Sequence, residues 1–423
     1  MKLKISKKIK MNKKLNFYIV ESDQNFLKMM KETLEENGHK VKINISPTNI
    51  LSEISEEKPD VIILDIITPR TDILEFCKKL RHSKKLNSLK IIITSPKHYE
   101  YDKRSAFYYG ADGYIQKPIL KEEFLKKINE IVYSSIILTF WGIRGTLPVP
   151  GKKTLKYGGN TSCVSIFFPK EKFFIFDAGS GIKELSNYLI STIKDKIKIN
   201  IFISHPHWDH TDCLSFFEPL YIRGNEIQIC GPSQGEIKMR QVISQQMEGI
   251  YFPITLKEFS ARVYFKDLTE DFYEIDEIPV QTKLLTHPGY DLGYRIEYKG
   301  KKICYVTDNE LYPKNSKYYS QDSRNKLIDF VKDSDILIHE CTYFDEEYKK
   351  RINWGHSSVS EVAELAYNAN VKNLYIFHHD PSHIDSDIEK KLELINKFLE
   401  KKNSRTKCFA PKEQERIELR LEK

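Results

Sequence analysis

Ile199-Asn200-Ile201-Phe202-Ile203-Ser204-His205-Pro206-His207-Trp208-Asp209-His210 is the stretch that decides how the larger part of this chain is read. Its first half is short, apolar and β-branched, the composition of a buried strand. The strand empties into four potential ligands, His205, His207, Asp209 and His210. Gathered around one point without a binding partner, such groups are costly. Imidazole with carboxylate suits zinc, manganese or iron better than calcium. A lone histidine is usually structural, whereas H-x-H-x-D-H directly after a strand is a metal-binding pattern. Nine of the twelve histidines lie at or after position 205, a bias that core packing does not predict.

The motif resembles the signature of the metallo-β-lactamase superfamily. That resemblance implies an αββα sandwich over about residues 136–423, with two divalent metals, zinc first and manganese or iron as alternatives. It also supplies the remaining ligands in order: His287 in Leu285-Thr286-His287-Pro288-Gly289, Asp308 in Tyr305-Val306-Thr307-Asp308, and His378 at the end of Leu374–Phe377. By resemblance His205, His207 and His287 hold one metal, Asp209, His210 and His378 the other, and Asp308 bridges them. His379 competes with His378. Neighbours after an alternating strand point to opposite sides, so only one serves, and His378 is preferred.

The ligand types narrow the superfamily. An aspartate at 308 argues against β-lactamases with cysteine there, and His207 against flavodiiron proteins with glutamate there. His339-Glu340-Cys341-Thr342 resembles the H-E-A-T motif of the ribonuclease Z-like phosphodiesterase branch, and Gly355-His356-Ser357 its G-H-S motif. Ser358-x-x-Glu361 reads as a capping box, starting a helix near Val359 and leaving His356 on the preceding loop. Trp141–Gly145, Tyr157–Ser162 and Phe176–Gly179 also resemble this branch and read as structural, with Asp177 tying down a loop. Arg416–Leu421 alternates as a final strand.

The resemblance implies phosphodiester hydrolysis in which Asp209 orients or deprotonates the attacking water. His356, held by Glu340, would stabilise transition-state charge or protonate the leaving group. The net charge of +8 suggests nucleic acid, but residues 1–14 carry seven lysines and no acid. Without them 60 basic residues face 59 acidic ones. RNA affinity draws on many basic contacts, so a small phosphodiester such as a cyclic nucleotide fits better than tRNA. A thioester or lactone hydrolase of the same fold, or a metal-binding signalling output without turnover, are the alternatives.

About residues 15–135 read differently. Apolar runs at Phe17–Val20, Val41–Ile45, Val61–Leu64, Ile91–Ile93 and Gly113–Ile115 alternate with helical stretches, the first capped by Asp23 and stopped by Gly38. Five such strands imply a doubly wound parallel α/β sheet whose functional residues gather at the strand carboxyl ends. Those ends carry Glu21-Ser22-Asp23, Asp65, Thr94 and Lys117-Pro118, a set that resembles the receiver domain of response regulators. The resemblance implies Asp65 as phosphoacceptor, Thr94, Tyr114 and Lys117 as switch residues, a cis Lys117-Pro118 bond, and a histidine kinase or phosphotransfer protein as partner. The usual acidic pair reads Glu21-Ser22 here. Ser22 stands where the principal magnesium carboxylate is expected, which bears on magnesium binding and phosphorylation alike. Asp23 either substitutes for it or serves only as the cap. A phosphorylatable receiver and a degenerate docking domain both remain open.

At 423 residues, 40% hydrophobic and 30% charged, the chain has room for two domains. No apolar run approaches the roughly 18–20 residues that span a bilayer, and the basic N-terminus lacks a secretory core, so the expected location is the cytoplasm. Met11 is an alternative start. Seven cysteines without C-x-x-C spacing fit reduced thiols. The almost absent linker after the helix at 121–133 favours a fixed interdomain geometry over a loose tether, with homodimerisation a further option.

Overall fold

A computed structural model describes residues 14–421 apart from 45–49, 70, 84–85, 87–88, 98, 133–134, 170–171, 194–195 and 251. The basic segment before Lys14, Met11, Ile45 and Tyr133-Ser134 lie outside the described residues. Two compact units meet in sequence between Ser135 and Ile136.

In the first unit, strands and helices alternate: β1 (Asn16–Val20), α1 (Gln24–Glu36), β2 (Lys40–Asn44), α2 (Ile50–Glu57), β3 (Val61–Asp65), α3 (Ile73–His82), β4 (Lys90–Ser95), α4 (Glu100–Tyr108), β5 (Gly113–Gln116) and α5 (Lys121–Val132). The strands form one parallel sheet in the order β2-β1-β3-β4-β5. Helices cover both faces, which is why β3 and β4 are buried at every position and read as continuous apolar runs. Asp23 caps α1, its Oδ1 accepting from the backbone N–H groups of Asn25 and Phe26 at 3.0 Å. The Lys117-Pro118 bond is cis.

The second unit begins with β6 (Ser135–Gly142), β7 (Cys163–Phe168), β8 (Lys172–Phe176), α6 (Ile182–Thr192), β9 (Lys198–Phe202), α7 (Trp208–Thr211), β10 (Glu226–Pro232), α8 (Met239–Gln246) and β11 (Arg262–Leu268). It continues with β12 (Phe272–Ile275), β13 (Ile278–Leu284), β14 (Leu292–Tyr298), β15 (Lys301–Val306), α9 (Gln321–Val331), β16 (Ile336–Glu340), α10 (Asp345–Tyr348) and α11 (Val359–Asn368). β17 (Asn373–Phe377), α12 (Asp385–Lys401), β18 (Lys407–Phe409) and β19 (Arg416–Arg420) complete it. Two mixed sheets result, ordered β11-β10-β9-β8-β7-β6-β19 and β12-β13-β14-β15-β16-β17-β18. Aromatic rings fill the space between them: Phe176 stacks on Phe202 at 5.1 Å and meets Tyr294 and Tyr305 of the opposite sheet at 5.7 and 5.3 Å. Separate apolar clusters lie under α6 and α8 on one outer face and under α9, α11 and α12 on the other. The result is the αββα sandwich of the metallo-β-lactamase fold, closed at one edge by β19.

The capping box at Ser358 is a correction. α11 starts at Val359 as read, but the Ser358 side chain makes no capping bond. Glu361 accepts instead from Arg324 at 2.5 Å within the fold, a buried charge-assisted pair that an exposed cap does not match. No helix among the described residues is long and apolar enough to cross a membrane.

Candidate metal centre and receiver pocket

β9 delivers His205, His207, Asp209 and His210 to one end of the sandwich, and the loops after β13, β15 and β17 bring His287, Asp308 and His378 to the same place. On one side His207 Nδ1 lies 2.8 Å from His205 Nε2 and 3.2 Å from His287 Nε2. Asp308 Oδ2 stands 3.6 Å from His205 Nε2 and 3.8 Å from His287 Nε2. On the other side His378 Nε2 is 3.0 Å from Asp209 Oδ2 and 3.2 Å from His210 Nε2. Asp308 Oδ1 is 3.0 Å from His378 Nε2 and 3.5 Å from His210 Nε2. Each oxygen of Asp308 thus faces a different pair of imidazoles, one pair in each cluster. Four donors at about 2.0–2.1 Å from a tetrahedral ion lie roughly 3.3–3.4 Å apart, so both clusters fit a divalent cation. All seven residues read from the sequence come together, and His378 rather than His379 points inward. His379 is buried, its pKa pushed well down by burial and by the nearby Lys391 and Arg144 charges.

The outer nitrogen of nearly every imidazole has a partner that fixes which nitrogen turns inward. His287 Nδ1 meets Gly355 O at 3.0 Å, and His378 Nδ1 meets Thr342 Oγ1 at 3.3 Å. Asp177, with a left-handed φ of 58°, accepts from Ser204 N at 2.7 Å and from Tyr305 Oη and His210 Nδ1, both also at 2.7 Å. Its role exceeds the loop tie read from sequence, because it orients a candidate ligand. Asp177→Asn is therefore expected to weaken metal affinity about 10- to 100-fold, measurable by chelator competition. His205 Nδ1 lies 3.6 Å from Asp291 Oδ2, a contact the sequence reading missed. Burial raises the Asp291 carboxyl well above the usual range.

The three candidate catalytic residues part company. Asp209 Oδ2 accepts from Thr146 N at 2.6 Å, beside the cluster. His356 stacks on His378 with centroids 5.2 Å apart, and its Nδ1 lies 3.9 Å from Asp308 Oδ2. Glu340 is fully buried and accepts from Thr342 N, from Thr342 Oγ1 and from Ser357 N. It holds the backbone next to His356 rather than its ring, which is a correction to the sequence reading. Burial pushes the Glu340 carboxyl up to about 8, against those three donors. Glu310, unnoticed in the sequence, anchors the other end of the loop by accepting from Asn353 N and Gly355 N at 2.8 and 2.9 Å. A cavity of about 430 Å³ opens above the cluster, lined by Thr146, Pro206, Trp208, Pro288, Trp354 and His356 together with His207, Asp209, His287, Asp308 and His378.

In the first unit Glu21, Asp65, Thr94 and Lys117 meet at the carboxyl end of the sheet. Lys117 Nζ lies 2.8 Å from Glu21 Oε1 and 3.3 Å from Asp65 Oδ1, and Thr94 donates to Glu21 Oε2 at 3.1 Å. Ser22 donates to Asp65 Oδ2 at 2.7 Å. Burial works to raise the Asp65 pKa, but bonds from Glu21, Ser22 and Ile67 N with the Lys117 charge hold it below the usual value. Glu21 is raised by burial. Asp23 is exposed, its Oδ1 engaged at the α1 cap, and Tyr114 donates outward to Lys97 O at 3.1 Å.

Residues 17–129 match the response regulator receiver domain family, and residues 174–379 the beta-lactamase superfamily domain. The chain joins a receiver domain to a metallo-β-lactamase-fold domain. Ribonuclease Z of Oceanobacillus iheyensis is 27% identical over 285 residues, 56% of this chain and 90% of that protein. The alkaline phosphatase synthesis transcriptional regulatory protein PhoP of Bacillus subtilis is 32% identical over 127 residues, 30% of this chain and 51% of PhoP, so the chain spans about half of that relative. Among solved structures, the metallo-beta-lactamase fold protein YhfI from Bacillus subtilis superposes with a TM-score of 0.48 at 15% identity, covering 67% of this chain and 99% of that one. The receiver implies a histidine kinase or phosphotransfer protein as phosphoryl donor, and the second fold implies divalent metals.

Proposed function

We propose that this protein is a cytoplasmic response regulator whose output domain is a dinuclear zinc phosphodiesterase for small phosphodiesters. The observation that carries the reading is a pair of adjacent donor clusters with one oxygen of Asp308 against the imidazoles of each. His205, His207 and His287 would hold one cation, and Asp209, His210 and His378 the other. Bound there, the pair supplies an acidified water and neutralises charge on the attacked phosphoryl group. Asp209, fixed by Thr146 N, orients that water. His356, facing the cavity with an unpaired Nδ1, offers an N–H to the oxygen on which charge develops.

On the receiver side Asp65 takes the phosphoryl group, Lys117 and Thr94 meet its oxygens, and Tyr114 reports the change. Glu21 and Asp65 would hold magnesium, with the Ser22 hydroxyl, which here donates to Asp65 Oδ2, where the principal magnesium carboxylate is usual. Phosphorylation shifts the output domain between states of different activity.

One experiment tests both halves: metal content and hydrolysis of bis-p-nitrophenyl phosphate, with and without acetyl phosphate. Two metals per chain and a donor-dependent change on the order of tenfold in turnover are expected, with the response abolished in Asp65→Ala. Full metal occupancy without hydrolysis would move the reading to thioesters, lactones or a binding output. An Asp65→Ala variant that responds like the parent would exclude the gate.

A further inference from the structure

The chain has three tryptophans. Trp141 is buried and donates its indole N–H to Ser165 Oγ at 2.8 Å. Trp208 and Trp354 are 77% and 60% exposed, and both line the cavity above the candidate metal centre. An indole left in water forgoes the burial that makes tryptophan stabilising, so the fold gives no reason for either.

The backbone under each exposed indole is nevertheless pinned on both sides. Trp208 stands between His207 and Asp209, both members of the donor clusters. Trp354 stands between Asn353 and Gly355, whose N–H groups donate to the buried Glu310. Its own N–H donates to Arg351 O at 3.2 Å, and the Arg351 guanidinium lies 6.0 Å from its ring. Held backbones with solvent-facing rings describe a preorganised contact surface. Among the described residues, no lysine or arginine lines the cavity. Beyond the scissile phosphate, the cavity lining therefore offers flat apolar surface, with the Arg351 guanidinium outside it and 6.0 Å from the Trp354 ring.

We propose that Trp208 and Trp354 form a stacking platform that selects phosphodiesters carrying a planar aromatic group, a nucleobase, over those carrying only sugar or alkyl substituents. This rests on the phosphodiesterase reading of the same site. The candidate metal centre meets the single phosphodiester charge while the base lies against indole. A longer nucleic acid would need a basic track for its other phosphates, so the platform fits one or two nucleotide units. Stacking of a base on an aromatic side chain contributes about 5- to 150-fold in affinity.

The test uses the full-length, zinc-loaded protein and follows tryptophan emission during titration with adenosine 5′-monophosphate and with ribose 5-phosphate, in which a hydroxyl replaces the base at the anomeric carbon. The nucleotide is expected to quench emission and to bind at least about tenfold more tightly than the sugar phosphate. Trp208→Ala and Trp354→Ala should each bring that ratio toward one, while Trp208→Phe and Trp354→Phe keep most of it. Equal affinities in the parent, or a ratio untouched in both alanine variants, overturn the platform. Discrimination by base without cleavage of any phosphodiester would leave the platform standing and remove the phosphodiesterase reading. Cleavage without discrimination would do the reverse.

Discussion

Asp308→Asn is expected to cut the metal content at least by half and to lower phosphodiester turnover on the order of a thousandfold. The change is nearly isosteric, so packing around a residue only 2% exposed is preserved. What is lost is one oxygen ligand and the negative charge. Oδ1 faces His378 and His210 at 3.0 and 3.5 Å, while Oδ2 faces His205 and His287 at 3.6 and 3.8 Å. An amide offers a ligand oxygen to only one of these pairs and turns an N–H toward the other. Burial alone would raise the Asp308 pKa, yet the His378 and His210 charges hold it well below the usual range. The carboxylate is the anion around which the imidazoles collect. Charge neutralisation at a phosphoryl oxygen by a bound cation is worth several kcal/mol, which sets the thousandfold scale. Inductively coupled plasma mass spectrometry would read the metal, and bis-p-nitrophenyl phosphate the rate. The variant should also gain less thermal stability from added zinc than the parent, because ligand that binds only the folded state stabilises by mass action. A variant with full metal content and parental turnover would remove Asp308 from the bridge.

Those seven donor residues were legible in the sequence because they follow strands closely, His205, His207, Asp209 and His210 within one run after β9 and into α7, and His287, Asp308 and His378 just past β13, β15 and β17. The receiver set was legible for the same reason, and Asp23 acts as the cap that its place before Gln24 suggested. What was not legible depends on apposition across the fold. Glu310 reaches Asn353 and Gly355, 43 and 45 residues on, and no local pattern marks it. Glu340 was read as holding His356 in the mechanism that the resemblance implied. The structure gives its oxygens to Thr342 and to Ser357 N, so it positions the loop. Glu361 looked like half of a capping box until Arg324, from α9, came within reach. Asp291 follows His287 by four residues on a turn, and only the start of β14, where Leu292 N donates to Ser204 O at 3.0 Å just past β9 of the opposite sheet, sets it against His205. The exposure of Trp208 and Trp354 could not be read at all, since each stands in a short segment whose sequence has no period to mark a solvent face.

His356→Ala is expected to keep the metal complement and lose about 10²- to 10⁴-fold in kcat, the range for a group that acts on the proton or charge of the reacting atoms. The loop that carries it is unusually well held. Gly355 has a φ of +84°, and a Cβ there would come within 2.2 Å of the His287 ring, so this position admits only glycine. Ser357 donates its N–H to Glu340 and its Oγ to Asn309 O. Between these anchors the His356 ring is stacked on His378 and set edge-on to Tyr343, with centroids 5.2 and 5.7 Å away. Burial lowers its pKa to about 3, so the ring stays neutral near pH 7 and acts as an N–H donor rather than as an imidazolium. Its Nδ1, within 3.9 Å of Asp308 Oδ2, has no hydrogen-bond partner among the described residues. That geometry also places it within reach of a cation shared by Asp308 and His378, and the same variant separates the two roles. Loss of metal together with turnover would make His356 a ligand. Retained metal with a low kcat and little change in KM would mark a group that acts on the transition state. Unchanged turnover would leave it a structural histidine, with the two glutamates and the glycine then serving only to hold His287 in place.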